Sequence, residues 1–214
     1  MIKKILLIVS ILFLFSKIVL AEKVIIFEFT EDELKSLKVN KVKGKTLWSL
    51  GSNKDGNFIK AEADGKASGL GKELKIDLLK TPFINITWKV EKDLSGIVEN
   101  SKKEHDYAAR VFVIKKTGVT ALSNRAINYV FSSNNSIDDN WPSPYTKKSI
   151  DYVLSTTMNN LNTWITVKAN VKEHFKRLHN LDVDELSGVA IMTDTDNSKL
   201  KAIAYYQNIY FSSE

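Results

Sequence analysis

The chain has 214 residues, 26% of them charged, a formal charge of +6 and no cysteine. The missing thiols exclude disulfides and thiolate metal sites, so the fold must rest on its apolar core. A chain of this length buries roughly 70% of the surface its unfolded form exposes. The lysine pairs at 102–103, 115–116 and 147–148 are scattered among acids, which excludes polynucleotide binding by charge alone.

Residues 1–21 place Lys3 and Lys4 before an apolar run at 5–15 and end on Val19-Leu20-Ala21, the pattern of a secretory signal peptide cleaved after Ala21. Lys17 interrupts the run, which falls short of the roughly 20 residues that span a bilayer. The mature chain, 22–214, is then expected to be a single exported domain, periplasmic or secreted, with no membrane span. Its 28 basic residues against 25 acidic ones give +3.

Residues 24–29 have strand composition, and Thr30 with Glu33 forms a capping box that opens a short helix to about residue 38. Strands at 45–50 and 57–63 flank a turn closed by Asp55-Gly56, where glycine supplies the positive dihedral a hairpin needs. Residues 70–78 alternate less cleanly. From Ile84 the alternation is strict, with Ile84, Ile86, Trp88 and Val90 on one face and Asn85, Thr87 and Lys89 on the other.

A polar loop at 94–106 follows, then strands at 107–116 and 126–133, a long connection at 134–148, and strands at 150–156 and 164–168. Asn170, with Glu173 at the capping position, opens a second helix whose Val171, Phe175 and Leu178 share one face. The end of the chain organises the rest: apolar runs at 189–193 and 202–211 flank a polar segment, the pattern of a buried closing hairpin. About eleven strands without βαβ alternation predict an all-β fold, an antiparallel two-sheet jelly-roll-like sandwich with two short helices.

Three runs carry a family resemblance: Asp106-Tyr107-Ala108-Ala109-Arg110-Val111-Phe112-Val113, Ala126-Ile127-Asn128-Tyr129-Val130-Phe131-Ser132-Ser133, and Ala190-Ile191-Met192-Thr193-Asp194-Thr195-Asp196-Asn197 followed by Ala204-Tyr205-Tyr206. Over about 27–211 the chain resembles the exported bacterial proteins of domain-of-unknown-function family 3047. It departs from the family's pattern before Trp88, where Ile86 and Thr87 stand in place of a tryptophan and an arginine. The resemblance implies a sandwich and an exported location but no reaction. More distantly, the order of elements is similar to galactose-binding-like carbohydrate modules.

Arg110 interrupts an apolar strand and shares its face with Ala108, Phe112 and Ile114, so it needs a carboxylate; Asp194 and Asp196 are the expected partners, with Asn128 beside them. That cluster has two readings, a polar site for a ligand's hydroxyls or a salt bridge that pins strand order. Trp141 and Tyr145, with Pro142 and Pro144 stiffening the loop between them, are either displayed for stacking on sugar rings or folded back onto the core. Trp48, Trp88 and Trp164 fall in strand patterns and are expected in the core.

Asp194-x-Asp196-Asn197 invites calcium, but Lys199 and Tyr205 occupy the loop positions where an EF-hand has Gly and Glu, so an ordinary Asp-Asn turn is expected, with a structural calcium as the alternative reading and no cofactor. His174 and His179 lie five residues apart, about 500° around a helix, and with His105 read as surface residues. There is no Gly-x-Ser-x-Gly elbow and no phosphate loop. The expected function is that of a monomeric, non-catalytic module for carbohydrate or another envelope component. The alternatives are a glycan-directed hydrolase using two of Glu62, Asp64, Glu91, Asp194 and Asp196, and an envelope scaffolding protein.

Overall fold

A computed structural model describes residues 22–120 and 123–214; the predicted signal peptide lies outside the described residues. Two sheets pack face to face. One runs β3 (Leu47–Asn53), β4 (Gly56–Asp64), β13 (Lys201–Ser212), β6 (Phe83–Lys92) and β11 (Ile165–Asn170), with β1 (Lys23–Ile25) on the far end of β13. The other runs β2 (Lys38–Lys43), β5 (Ala67–Asp77), β12 (Glu185–Asp194), β7 (Ala109–Lys115), β8 (Arg125–Ser132), β10 (Thr146–Thr156) and β9 (Asn140–Ser143). The predicted two-layer β-sandwich is therefore what the chain forms, with one parallel pair, β8 and β10, among antiparallel ones.

Alternation builds the core. Ile84, Ile86, Trp88 and Val90 on β6 are fully buried, and they meet Val111, Val113, Ile127, Tyr129, Phe131 and Ile191 from the opposite sheet. Trp88 packs against Phe131 with the rings tilted by 49° and centroids 5.3 Å apart, and its indole N–H donates to Ser155 Oγ at 2.9 Å, so a ring of two chemistries is satisfied at both ends.

The closing runs do not form a hairpin. β12 lies in the seven-stranded sheet and β13 in the six-stranded one, and residues 195–200 arch between them. The β4–β5 connection makes the same crossing beside it, and the two arches are tied by Gly65 N–H to Leu200 C=O at 3.2 Å and Thr195 N–H to Lys66 C=O at 2.9 Å. Gly65 turns this corner with φ of +60°, a conformation few side chains tolerate.

Other boundaries moved for local reasons. The first strand stops at Ile25 because the chain turns inward, burying Ile26, Phe27 and Phe29, with Phe29 at φ of +51°. The box closes one step early: Thr30 Oγ1 accepts from Glu33 N–H, while the Glu33 carboxylate takes the N–H groups of Glu28 and Phe29 at 2.8 Å each, and α1 (Glu31–Ser36) ends before the unforeseen edge strand β2. Every residue of β2 is exposed, so it carries no alternation to read. The connection at 134–148 holds β9 and the start of β10, and α2 (Thr157–Asn160) is a third helix, capped by Thr156, beside the foreseen α3 (Val171–His179). Trp164, expected in the core, lies half-buried outside it, ringed by Phe58 and Tyr205 on the outer face of the six-stranded sheet.

Candidate functional site

The side chains that alternate with the core positions on β7, β8, β10 and β12 point away from the sandwich. Register brings Arg110 opposite Met192 and Val130, Phe112 opposite Ala190 and Asn128, and Asn128 opposite Asp151. This face curves until Val42 of the edge strand β2 and Tyr145, between β9 and β10, line one hollow of about 390 Å³. Five of the six residues singled out from sequence line it: Arg110, Asn128, Tyr145, Asp194 and Asp196.

Arg110 is the centre. Its Nε donates to Asp194 Oδ1 at 2.9 Å and its Nη2 donates to Oδ2, a bidentate pair in which the residues are 4% and 1% exposed. Burial works against the guanidinium's charge, but the carboxylates of Asp194 and Asp151 outweigh it and hold the pKa above its ordinary value. Burial pushes the Asp194 carboxyl above the usual carboxylate range, Arg110 opposes this, and Asp106 and Asp196 add to it. The rings of Tyr107 and Phe112 lie 4.9 and 5.5 Å from the guanidinium carbon. Among the described residues none accepts from Nη1, which leaves one donor edge of the guanidinium unspent.

Core and site are joined through Tyr206. Its hydroxyl crosses from β13 to accept from the Arg110 N–H at 3.2 Å and to donate to the Met192 C=O at 2.6 Å, and it lies 2.9 Å from Thr193 Oγ1. The backbone at which Arg110 leaves the sheet is thus pinned from the opposite layer.

Asn128 does not bond Arg110 or Asp194. Its Nδ2 donates to Asp151 Oδ1 at 2.7 Å, which leaves Oδ1 buried without a donor. Asp151 Oδ2 bonds His105 Nε2 at 2.7 Å. His105, taken from sequence as a surface residue, is 4% exposed and wedged edge-on between the rings of Tyr107 and Tyr145. The other two histidines are half-buried as well: His174 Nδ1 faces the Tyr129 hydroxyl at 3.0 Å and His179 Nε2 the Ala126 carbonyl at 2.9 Å.

Asp196 does not pair with Arg110 either. Oxygens of Asp106, Asp194 and Asp196 lie within 4.8 Å of one another, but those of two are already taken by N–H donors. Asp106 accepts from the backbone of Asn197 at 3.2 Å and of Ser198 at 2.6 Å, and Asp194 from Arg110 and from Tyr107 N–H at 3.4 Å. Asp106 thus anchors the 195–200 arch and Asp194 holds Arg110, while among the described residues no donor reaches the Asp196 carboxylate.

Trp141 is the sixth predicted residue, and it is not in the hollow. On β9 it folds back onto Tyr107, Val130 and Val153, a second small apolar cluster. Tyr145 parts company with it: it is 54% exposed, its hydroxyl has one proton to give to either Asn197 Oδ1 at 3.0 Å or Lys102 C=O at 3.2 Å, and its ring faces the hollow's mouth. Sequence reasoning missed His105, Asp106 and Asp151. An aspartate at an outward position of an otherwise apolar strand was the available signal for Asp151.

An open hollow on one sheet of a two-layer β-sandwich defines the class of this protein. The sequence profile of the family described as "Protein of unknown function (DUF3047)" matches residues 32–210, and the chain belongs to that family. Among curated proteins none matches it. Among solved structures it is similar to the family 30 carbohydrate-binding module of the cellulosomal cellulase CEL9D-CEL44B of Clostridium thermocellum, at 10% identity and TM-score 0.50 over 90% of this chain and 98% of that one. A second family 30 carbohydrate-binding module structure is similar at 9% identity and TM-score 0.52, over 90% of this chain and 88% of that one. At these identities the likeness is one of fold.

Proposed function

We propose that the protein is an exported, non-catalytic carbohydrate-binding protein whose ligand seats in the hollow over Arg110. The observation that carries this reading is the combination in one cavity of an unspent guanidinium edge, an orphaned Asn128 carbonyl oxygen, the free Asp196 carboxylate and the rings of Phe112 and Tyr145. A sugar ring offers hydroxyls that both donate and accept around an apolar face, and such a lining answers each of these. The resemblance of the fold to carbohydrate-binding modules favours the same class, and export rests on the pattern of residues 1–21.

Binding is favoured over hydrolysis by the state of the acids. A glycosidase needs two available carboxyl groups, roughly 5 to 10 Å apart. Here Asp194 is held by Arg110 and Asp106 by backbone amides, which leaves Asp196 alone at the hollow. Glu62 is paired with Lys60, and Glu91 accepts from the Tyr205 hydroxyl, on the opposite sheet.

A glycan array probed with the purified 22–214 chain tests the reading. Binding is expected to at least one class of polysaccharide, and to fall about three- to tenfold in Tyr145→Ala, the worth of one aromatic contact. A blank array over envelope and plant glycans, or hits that Tyr145→Ala and Asn128→Ala leave unchanged, would refute it.

A further inference from the structure

A second hollow, of about 460 Å³, opens on the same face of the same sheet. It is lined by Lys38 and Asn40 of β2, Ile114 of β7 and Gly188 of β12, where the first is lined by Val42, Phe112 and Met192 of those strands. Arg110 and Ile114, one in each, are four residues apart on one strand, about 13 Å. Each hollow falls in the lower part of the roughly 300–1,000 Å³ that holds a small ligand. One sugar ring fills one of them; a chain reaches both.

Beside Phe112, on β12 and β5, what lies between them is small. Ala190 sits across from Phe112 on one side and Gly71 on the other, and Gly71 is in turn paired with Lys38. Two neighbouring glycines are explained by the sheet itself: a Cβ at Gly69 would come 2.9 Å from the Ile191 carbonyl, and one at Gly188 would come 3.0 Å from that of Lys72. Gly71 has no such reason. A Cβ there meets only ordinary contacts, with the Asn40 amide nitrogen at 3.4 Å, Ala190 Cβ at 3.5 Å and the Lys38 carbonyl at 3.9 Å. Glycine weakens a strand, so one that packing does not demand marks a place kept clear.

We propose that the two hollows are the ends of one trench, and that the ligand is a linear oligosaccharide of several units lying along β12, over Ala190 and Gly71 and beside Phe112. This rests on the carbohydrate reading above and specifies its ligand as a chain. At the far end Lys116 and Lys38 share Glu73, at 2.9 and 3.6 Å, so the trench closes on an exposed polar rim with one lysine charge in excess. Ile114 offers a half-buried apolar surface for the last ring.

Isothermal titration with β-1,4-linked glucose, xylose and N-acetylglucosamine oligosaccharides of two and six units tests this. For the series that binds, the six-unit chain is expected to bind at least about tenfold more tightly than the two-unit one. Gly71→Gln, which places a side chain mid-trench, removes that advantage and leaves two-unit binding within about twofold. Ile114→Ser lowers six-unit affinity alone, without adding bulk, and circular dichroism confirms that both variants fold. Equal affinity for two and six units, or a chain-length advantage that survives both substitutions, overturns the trench while the carbohydrate reading stands. No binding by any of the oligosaccharides, together with a blank glycan array, overturns both.

Discussion

Replacing Arg110 and Asp194 singly and together separates what the pair does for the fold from what it does for a ligand. Arg110→Leu leaves Asp194, 1% exposed and with carboxylate oxygens of Asp106 and Asp196 within 4.8 Å, without its cation. Breaking a buried pair from one side costs about 3–5 kcal/mol. Asp194→Leu strands the guanidinium at a similar cost, slightly raised because the Tyr107 N–H loses its acceptor. Independent effects would sum to about 6–10 kcal/mol, enough to unfold most domains of this size. The double variant exposes no lone charge, and hydrophobic replacement of a buried pair is close to neutral, so it should lie within about 2 kcal/mol of the wild type. The coupling energy is then at least about 4 kcal/mol, read from urea denaturation midpoints at constant slope. The folded double variant should nevertheless bind the six-unit chain at least about tenfold more weakly, having lost the donor edge over the hollow. Additive destabilisation would refute the mutual pairing, and full glycan affinity in the double variant would refute the role of Arg110.

Tyr206→Phe keeps the ring but removes the hydroxyl shared by the Arg110 N–H, the Met192 C=O and Thr193; a loss of about 2–3 kcal/mol is expected in urea denaturation. The His174 pKa is lowered to about 4, by burial first and by Arg177 second, so its neutral form is the one that fits against Tyr129. Because the unfolded value is higher, its stabilisation is complete above about pH 6.5 and fades as pH falls toward 4. With solvent screening the loss is roughly 1–2 kcal/mol, and in wild type minus His174→Gln it should appear only within that window. Trp141→Ala should cost about 2 kcal/mol of stability and leave glycan affinity unchanged, and Tyr145→Ala the reverse, with stability within about 1 kcal/mol; thermal melts and titration on both variants check the contrast.

Alternation along β6 and β7 was legible because a half-buried strand repeats every two residues, and it placed Trp88 in the core and Arg110 on one face with Phe112 and Ile114. The same period is blind to how strands are joined. Runs flanking a polar segment describe a hairpin and an arch equally well, and here β12 and β13 face each other from opposite sheets. Asp194 was found as Arg110's partner, 84 residues away in the chain, because a buried guanidinium demands a carboxylate and Asp194 and Asp196 were expected at the mouth of the closing pair of strands. Asp151 and His105 stayed hidden because β10 returns parallel to β8, a pairing no local pattern announces. Trp141 and Tyr145 look alike in sequence, yet the pairing of β9 with β10 sends one ring to Val130 and Val153 and leaves the other at the mouth of the hollow.

The most direct test of a sugar site on the seven-stranded sheet is chemical-shift mapping of labelled 22–214 chain titrated with the glycan that binds. The backbone amides of Arg110, Phe112, Asn128, Tyr145 and Met192 should move together and saturably. Shifts gathered instead around Phe58, Trp164 and Tyr205 on the opposite sheet would contradict it.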